Sequence, residues 1–172
     1  VVTDGSRALL VDFGSGRVVD HLGDVGVSQV DWILHTHHHR DQCQGDSLAN
    51  ERNIPIAVPA HELPYFEEVE VFWGSRQIYD IYDVRQTFFT LAQSVRTARV
   101  LEDYEAFEWG PYSFSIQPSP GHTLGHIALV AEIDGARVAF SGDLISAPGK
   151  TQTLYDLQYA YGVGDGCDYM VY

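Results

Sequence analysis

Residues 30–42 of this chain read VDWILHTHHHRDQ, an apolar segment that runs directly into a cluster of histidines. The part at 30–34 predicts a buried strand, because it is short and largely apolar. His37, His39 and Asp41 alternate after it, so in extended backbone their side chains leave the chain on the same side. Imidazole and carboxylate groups are ligands that suit Zn²⁺. The stretch therefore predicts half of a metal site at the end of a strand.

The other half of the predicted site comes from two later stretches. Residues 118–126 read PSPGHTLGH, a loop rich in proline and glycine that can hold His122 firmly outside a helix or a sheet. Residues 140–143 read FSGD, where an apolar strand ends in a glycine followed by Asp143. The glycine allows close approach of the backbone, so Asp143 is placed to reach a metal ion.

Four motifs in a fixed order resemble those of the metallo-β-lactamase superfamily. They are LVDFG around Asp12, THHHRD at 36–41, PGHTLGH at 120–126 and SGD at 141–143. The GHTLGH loop is similar to that of the glyoxalase II-like hydrolase branch. The resemblance covers about residues 1–145, interrupted in the middle. It implies an α/β fold, an αββα sandwich with the metal ions at one edge between the two sheets.

The resemblance also implies which residues hold metal. Carried over by position, three imidazoles of a first metal site and two carboxylates are matched by His37, His39, His122, Asp41 and Asp143. Within this set, Asp41 matches a ligand of a second site, and Asp143 matches the carboxylate that bridges both. Asp12 and His126 match supporting positions. The implied cofactor is zinc, as one or two ions, with iron or manganese as alternatives.

Two departures from the family pattern affect the same half of the site. Gln42 stands where the family has a histidine after Asp41, and its neutral amide oxygen is a much poorer ligand for Zn²⁺. The family also supplies a later histidine to the second site, but none follows His126 in this sequence, so that ligand either lies beyond residue 172 or is absent. We therefore expect the first metal site to be filled and the second to be weak, altered or empty.

The rest of the first hundred residues predicts an α/β layer and then a helical middle. Strands are predicted at 7–13, 30–34 and 54–58, and helices at 18–27 and 42–53. Residues 59–99 are predicted to be mostly helical. Apolar residues in this segment follow a 4-3 spacing that predicts one apolar helix face. They are Ile81, Val84, Phe88, Leu91 and Val95.

After residue 100 the pattern favours strands. Asp134 and Gly135 separate two apolar runs, at 126–133 and 137–141, which is typical of a two-residue hairpin. A short helix is predicted at 153–161. We expect one domain over 1–172, with a helical insertion at about 60–99 and with both natural ends truncated.

Composition limits the classes of partner. The net charge of −14 argues against general binding of nucleic acid or anionic membranes, because phosphate contacts need lysine and arginine. No apolar run approaches the roughly 20 residues that a membrane span needs. Two cysteines, Cys43 and Cys167, form no disulfide framework and favour a reducing, cytoplasmic compartment. The oligomeric state stays open.

These features together predict a metal-dependent hydrolase that acts on an ester, a thioester or a related small molecule. Asp41 and Asp143 are the predicted catalytic carboxylates beside the metal. One alternative is a mononuclear iron oxygenase of the same superfamily. The other is a non-catalytic metal-binding module whose second metal site has degenerated.

Overall fold

A computed structural model of the protein describes residues 1–74 and 90–151. Its first sheet has the strand order β1-β2-β3-β4-β5, in which β1 is antiparallel to β2 and the other neighbours are parallel. These strands are β1 (Val2–Asp4), β2 (Arg7–Val11), β3 (Gln29–Leu34), β4 (Ile56–Pro59) and β5 (Arg99–Leu101). The predicted strands of the first part of the chain are thus confirmed, within two residues at each end.

The second sheet is a four-stranded antiparallel meander in the order β6-β7-β8-β9. Its strands are β6 (Ala106–Trp109), β7 (Tyr112–Pro118), β8 (Ile127–Ile133) and β9 (Ala136–Phe140). A separate pair follows, β10 (Ile145–Ala147) with β11 (Lys150–Thr151). Asp134 and Gly135 join β8 to β9 with φ angles of 53° and 76°. Two successive positive φ angles are the mark of a type I′ hairpin turn, so the hairpin prediction is confirmed.

The core consists of two apolar layers, one on each face of the first sheet. Along β2, Ala8 and Leu10 pack toward the helices, whereas Leu9 packs toward the second sheet, as the two-residue period of a strand requires. The layer between the sheets contains Leu9, Leu34, Ala57, Leu101, Phe107, Phe114, Ile116 and Leu129. The predicted α/β sandwich is therefore confirmed, with its described helices against the outer face of the first sheet.

The helices of the described residues are short. They are α1 (Arg40–Cys43), α2 (Asp46–Glu51), α3 (Pro64–Glu67) and α4 (Val69–Gly74), with 3₁₀ helices at Arg17–Asp20, Leu22–Val25, Ala60–Glu62 and Gly142–Leu144. Within residues 1–74 and 90–151, no helix is both long and apolar enough to cross a membrane.

Two predicted helices are each divided into two shorter helices in the structure. The helix predicted at 42–53 is divided between α1 and α2, because Gly45 lies against the loop at Gly14–Gly16. A Cβ atom on Gly45 would be only 2.5 Å from Gly16 N, and Gly45 N donates to Gly14 O at 2.7 Å. The helix predicted at 18–27 is two 3₁₀ helices instead, ended by Gly26 at a φ of 79°. Left-handed backbone at a glycine is a common end for a helix.

The helical insertion predicted for 60–99 is correct only up to Gly74 among the described residues. Residues 90–98 contain no helix, and Arg99 already begins β5. Leu91 and Val95 are buried, as their spacing suggested, but Val95 N donates to Phe66 O instead of to its own turn. Tertiary packing therefore buries these side chains from irregular backbone. The predicted apolar positions 81, 84 and 88, and the predicted helix at 153–161, lie outside the described residues.

The parallel strands bring the functional segments to one edge of the first sheet. Val11 pairs with Leu34, and Leu34 pairs with Ala57, so the carboxyl ends of β2, β3 and β4 lie side by side. The segments that leave these ends carry Asp12, the histidines and Glu62. Ligands of open α/β sheets bind at this edge, and here the candidate site is found.

Candidate metal centre

Three imidazoles converge at this edge, as the sequence predicted. One nitrogen from each of His37, His39 and His122 lies within 4.8 Å of the other two. The ring centroids are 4.6 to 4.9 Å apart, and each pair of ring planes is nearly perpendicular. The side chain of His122 is 12% exposed and that of His37 is fully buried. The loop at 118–126 and the end of β3 therefore meet around one point.

Hydrogen bonds fix the tautomer of His37. Asp12 accepts from Thr36 N and from Thr36 Oγ1, both at 2.9 Å. Because the single hydroxyl proton of Thr36 goes to Asp12, the 3.0 Å contact between Thr36 Oγ1 and His37 Nδ1 needs Nδ1 to be the donor. His37 Nε2 then carries a lone pair, and this buried atom has no hydrogen-bond partner within residues 1–74 and 90–151. The lone pair of His37 Nε2 is therefore available to bind a metal ion.

Burial keeps His37 neutral. Loss of hydration is the largest influence and lowers the pKa of His37 well below its usual value, and the neighbouring His39, His126 and His122 act in the same direction. A metal ligand must be the unprotonated imidazole, so this environment favours metal over proton.

Of the two predicted carboxylates, Asp143 lies beside the imidazoles, and Gln42 contacts both. Asp143 Oδ2 is 3.4 Å from His122 Nε2 and 3.8 Å from His37 Nε2. The amide Nε2 of Gln42 is 3.4 Å from Asp41 Oδ2 and from both oxygens of Asp143. Burial raises the pKa of Asp143 above its ordinary value. Asp143 thus adjoins the imidazoles, whereas Asp41 is exposed and contacts Gln42.

His126, for which the resemblance implies a supporting role, lies beside the ring of His37. Its Nδ1 is 2.9 Å from Ser119 Oγ, and its ring centroid is 5.0 Å from that of His37. Burial lowers the pKa of His126 to about 4. The next residue, Ile127, donates its backbone N–H to Thr36 O at 3.0 Å, which joins the second sheet to the histidine segment.

Glu62 is a site residue that the sequence reasoning missed. It is 1% exposed, and its carboxylate accepts hydrogen bonds from both histidine-bearing loops. Burial alone would raise the pKa of Glu62, but the charge of His38 and hydrogen bonds from His38 and Thr123 outweigh burial and lower it. Its position just after β4, at the same edge as the histidines, was the available signal.

A second missed feature is a buried ion pair beneath the site. His35 Nε2 is 3.1 Å from Asp46 Oδ1, and His35 Nδ1 is 3.4 Å from Asp12 Oδ1. Burial opposes a charge on His35, but the carboxylates of Asp46 and Asp12 outweigh it and raise the pKa of His35 to about 10. Asp12 is thus held between His35 and Thr36, so the ion pair supports the bonds that orient His37.

Comparisons with known proteins identify relatives of this chain. The family model described as Metallo-beta-lactamase superfamily matches residues 1–166. A hydroxyacylglutathione hydrolase of Cupriavidus metallidurans is 32% identical over 153 residues, covering 86% of this chain and 48% of the relative. The hydroxyacylglutathione hydrolase of Albidiferax ferrireducens is 28% identical over 152 residues, covering 87% of this chain and 48% of the relative. The chain therefore spans about half the length of these relatives.

The solved structures show the same fold. Native FEZ-1 metallo-beta-lactamase from Legionella gormanii superposes with a TM-score of 0.66 at 19% identity. The match covers 90% of this chain and 60% of that one. At this level of identity the likeness shows the fold alone.

The buried ion pair predicts how stability depends on pH. The pKa of His35 is raised in the folded state relative to about 6.5 when unfolded, so its contribution is complete below pH 6.5 and is lost as the pH rises toward 10. Between pH 7 and 9 we expect the unfolding free energy of the metal-free protein to fall by about 1.4 kcal/mol per pH unit. Urea unfolding in the presence of chelator measures this slope.

Asp46→Asn should flatten the slope, because it removes the carboxylate that contributes most to raising the pKa of His35. Asp24→Asn is the matched control, since Asp24 is 3.6 Å from an exposed histidine, His21. A flat slope in the wild type would show that His35 is not charged at neutral pH, and an unchanged slope in Asp46→Asn would show that Asp46 does not raise the pKa of His35.

Proposed function

Since this chain belongs to the metallo-beta-lactamase superfamily, we propose that it is a metal-dependent hydrolase that cleaves a small-molecule thioester or a related ester. The observation that carries this proposal is the convergence of His37, His39 and His122 within 4.8 Å of one another. The relatives are named hydroxyacylglutathione hydrolases, and this name supports the thioester class. A cytoplasmic location fits the free, buried thiol of Cys43.

The residues fit a zinc ion. Three imidazoles with an open fourth position are a common donor set of catalytic zinc. Among the residues that the structure describes, no group is hydrogen-bonded to the buried His37 Nε2, and such a buried polar atom is costly unless an ion binds it. A zinc ion bound here would supply Lewis acidity and lower the pKa of a water molecule toward about 7.

The chain's own carboxylates then have separate tasks. Asp143, 3.4 Å from His122 Nε2, balances positive charge beside the imidazoles. Asp41 is exposed and can orient the attacking water or accept its proton. Hydrolysis forms a bond from the water oxygen to the acyl carbon and breaks the carbon–sulfur bond. The proton taken from the water passes to the departing thiolate, so the balance needs no further reactant.

Gln42 makes a single metal ion the favoured state. Its amide lies 3.4 Å from Asp41 and from Asp143, the two carboxylates that a second ion would need. A neutral amide donor offers these carboxylates hydrogen bonds in place of a cation. The same single-metal arrangement also suits iron, so an iron oxygenase is the second candidate. Zinc with hydrolysis, or iron with oxygen consumption, distinguishes the two.

His37→Ala tests the proposal. It should reduce bound zinc from about one ion per chain to almost none, because it removes one of the three imidazole ligands. Hydrolysis of a hydroxyacyl glutathione thioester should fall by about a hundredfold or more, since even outer partners of a ligand are worth about 10- to 100-fold. Metal analysis and thiol release measure the two effects, with an oxygen ester, a β-lactam and a phosphodiester as comparison substrates.

His21→Ala is the matched control, because His21 is 77% exposed and lies outside the cluster. Full thioester hydrolysis by His37→Ala, or by wild-type protein stripped of metal, would refute the proposal.

Gln42→His should raise the zinc content of the protein from about one to about two ions per chain, because it adds an imidazole between the two carboxylates. Titration with zinc followed by metal analysis measures the stoichiometry. If wild-type protein already binds two zinc ions tightly, the interpretation of Gln42 is wrong.

A further inference from the structure

The carboxylate of Glu62 connects the two loops that carry the imidazoles. Its Oε2 accepts from His38 N at 2.8 Å and also contacts His38 Nδ1. Its Oε1 accepts from Thr123 Oγ1 at 2.6 Å and from Gly125 N at 3.0 Å. Each oxygen therefore serves a different loop.

The residues held by Glu62 are direct chain neighbours of the candidate ligands. His38 lies between His37 and His39, and Thr123 follows His122. Glu62 itself belongs to neither loop, since it ends the 3₁₀ helix Ala60–Glu62 after β4. A shift of its side chain would therefore move one loop relative to the other.

Close packing reinforces these hydrogen bonds. A Cβ atom on Gly125 would lie 2.7 Å from Glu62 Cγ and 2.8 Å from Glu62 Oε1, so the loop at 118–126 rests directly on this side chain. On the other side, the ring of His38 stacks on Tyr65 with centroids 4.1 Å apart. Glu62 is thus enclosed, and its two oxygens cannot exchange these donors for water.

We propose that Glu62 is a positioning residue that sets the distance between the two histidine loops, and thereby the geometry and affinity of the three-imidazole metal site. The inference rests on the proposed function only in taking a metal ion as the ligand. Glu62 acts through His38, Thr123 and Gly125 and does not touch the ion.

A carboxylate is needed for this task because it offers two acceptor oxygens. A glutamine of the same shape has one oxygen and one NH₂ group, so it can accept hydrogen bonds from only one loop. On the other side its NH₂ group would face the N–H or O–H donors of the second loop, and no hydrogen bond could form. Glu62→Gln should therefore loosen one loop while nearly preserving side-chain volume.

The test measures zinc affinity by competition with a chromophoric chelator, and ligand geometry by the visible absorption of the cobalt(II)-substituted protein. We expect Glu62→Gln to weaken zinc binding about 10- to 100-fold and to change the cobalt spectrum. Glu68→Gln makes the same chemical change on an exposed residue six positions away, and it should alter neither readout.

Thr123 provides a second pair of variants should Glu62→Gln fail to fold. Thr123→Val removes only the hydroxyl bond to Glu62 Oε1, so it should weaken zinc binding. Thr123→Ser keeps the hydroxyl, so its zinc affinity should stay near that of the wild type. A merely structural role for Glu62 would lower the melting temperature of the metal-free variants and leave the cobalt spectrum unchanged.

Wild-type zinc affinity and an unaltered cobalt spectrum in Glu62→Gln, or equal affinities for Thr123→Val and Thr123→Ser, would overturn the positioning role alone. A wild-type protein that binds neither zinc nor cobalt would instead overturn the proposed function and this inference with it.

Discussion

The parallel pairing of β2, β3 and β4 is the constraint on which the site depends, because it places three carboxyl ends at one sheet edge. Asp12 N donates to Leu34 O and His35 N donates to Ala57 O, so the chain stays in register for one residue beyond each strand. The segments then diverge into loops whose side chains still meet. Without this register, neither the bonds of Asp12 nor those of Glu62 could reach the histidine segment.

Buried acids balance the histidines around this edge. Asp46 and Glu62 are 0% and 1% exposed, and each contacts a histidine next to the imidazole cluster without entering it. Buried charges are tolerated when they are paired and hydrogen-bonded. Glu62 is bonded through both carboxylate oxygens, and Asp46 is paired with His35 through Oδ1. His37, in contrast, is kept neutral by burial. The surroundings therefore favour a charged His35 beneath the imidazole cluster and a neutral His37 within it, which can bind an ion.

The sequence predicted what depends on local pattern and missed what depends on distant contact. The strands, the hairpin at Asp134 and Gly135 and the meeting of His37, His39 and His122 followed from periodicity, turn chemistry and motif order. Glu62 and Asp46 were missed because an acidic residue shows no sign in the sequence of which buried donor it meets. The prediction of a helix over 90–98 was wrong. Apolar residues at helical spacing occur both on a helix face and in an irregular segment whose side chains are buried by tertiary packing, so the pattern does not distinguish the two.

The central claim is that three imidazoles on two loops hold one metal ion. X-ray absorption spectroscopy of the zinc-loaded protein tests it most directly, since it counts the ligand atoms. The account predicts a nitrogen and oxygen shell at about 2.0–2.1 Å with the multiple-scattering pattern of three imidazoles. A shell without imidazole scattering, or a sulfur ligand at about 2.3 Å, would contradict it.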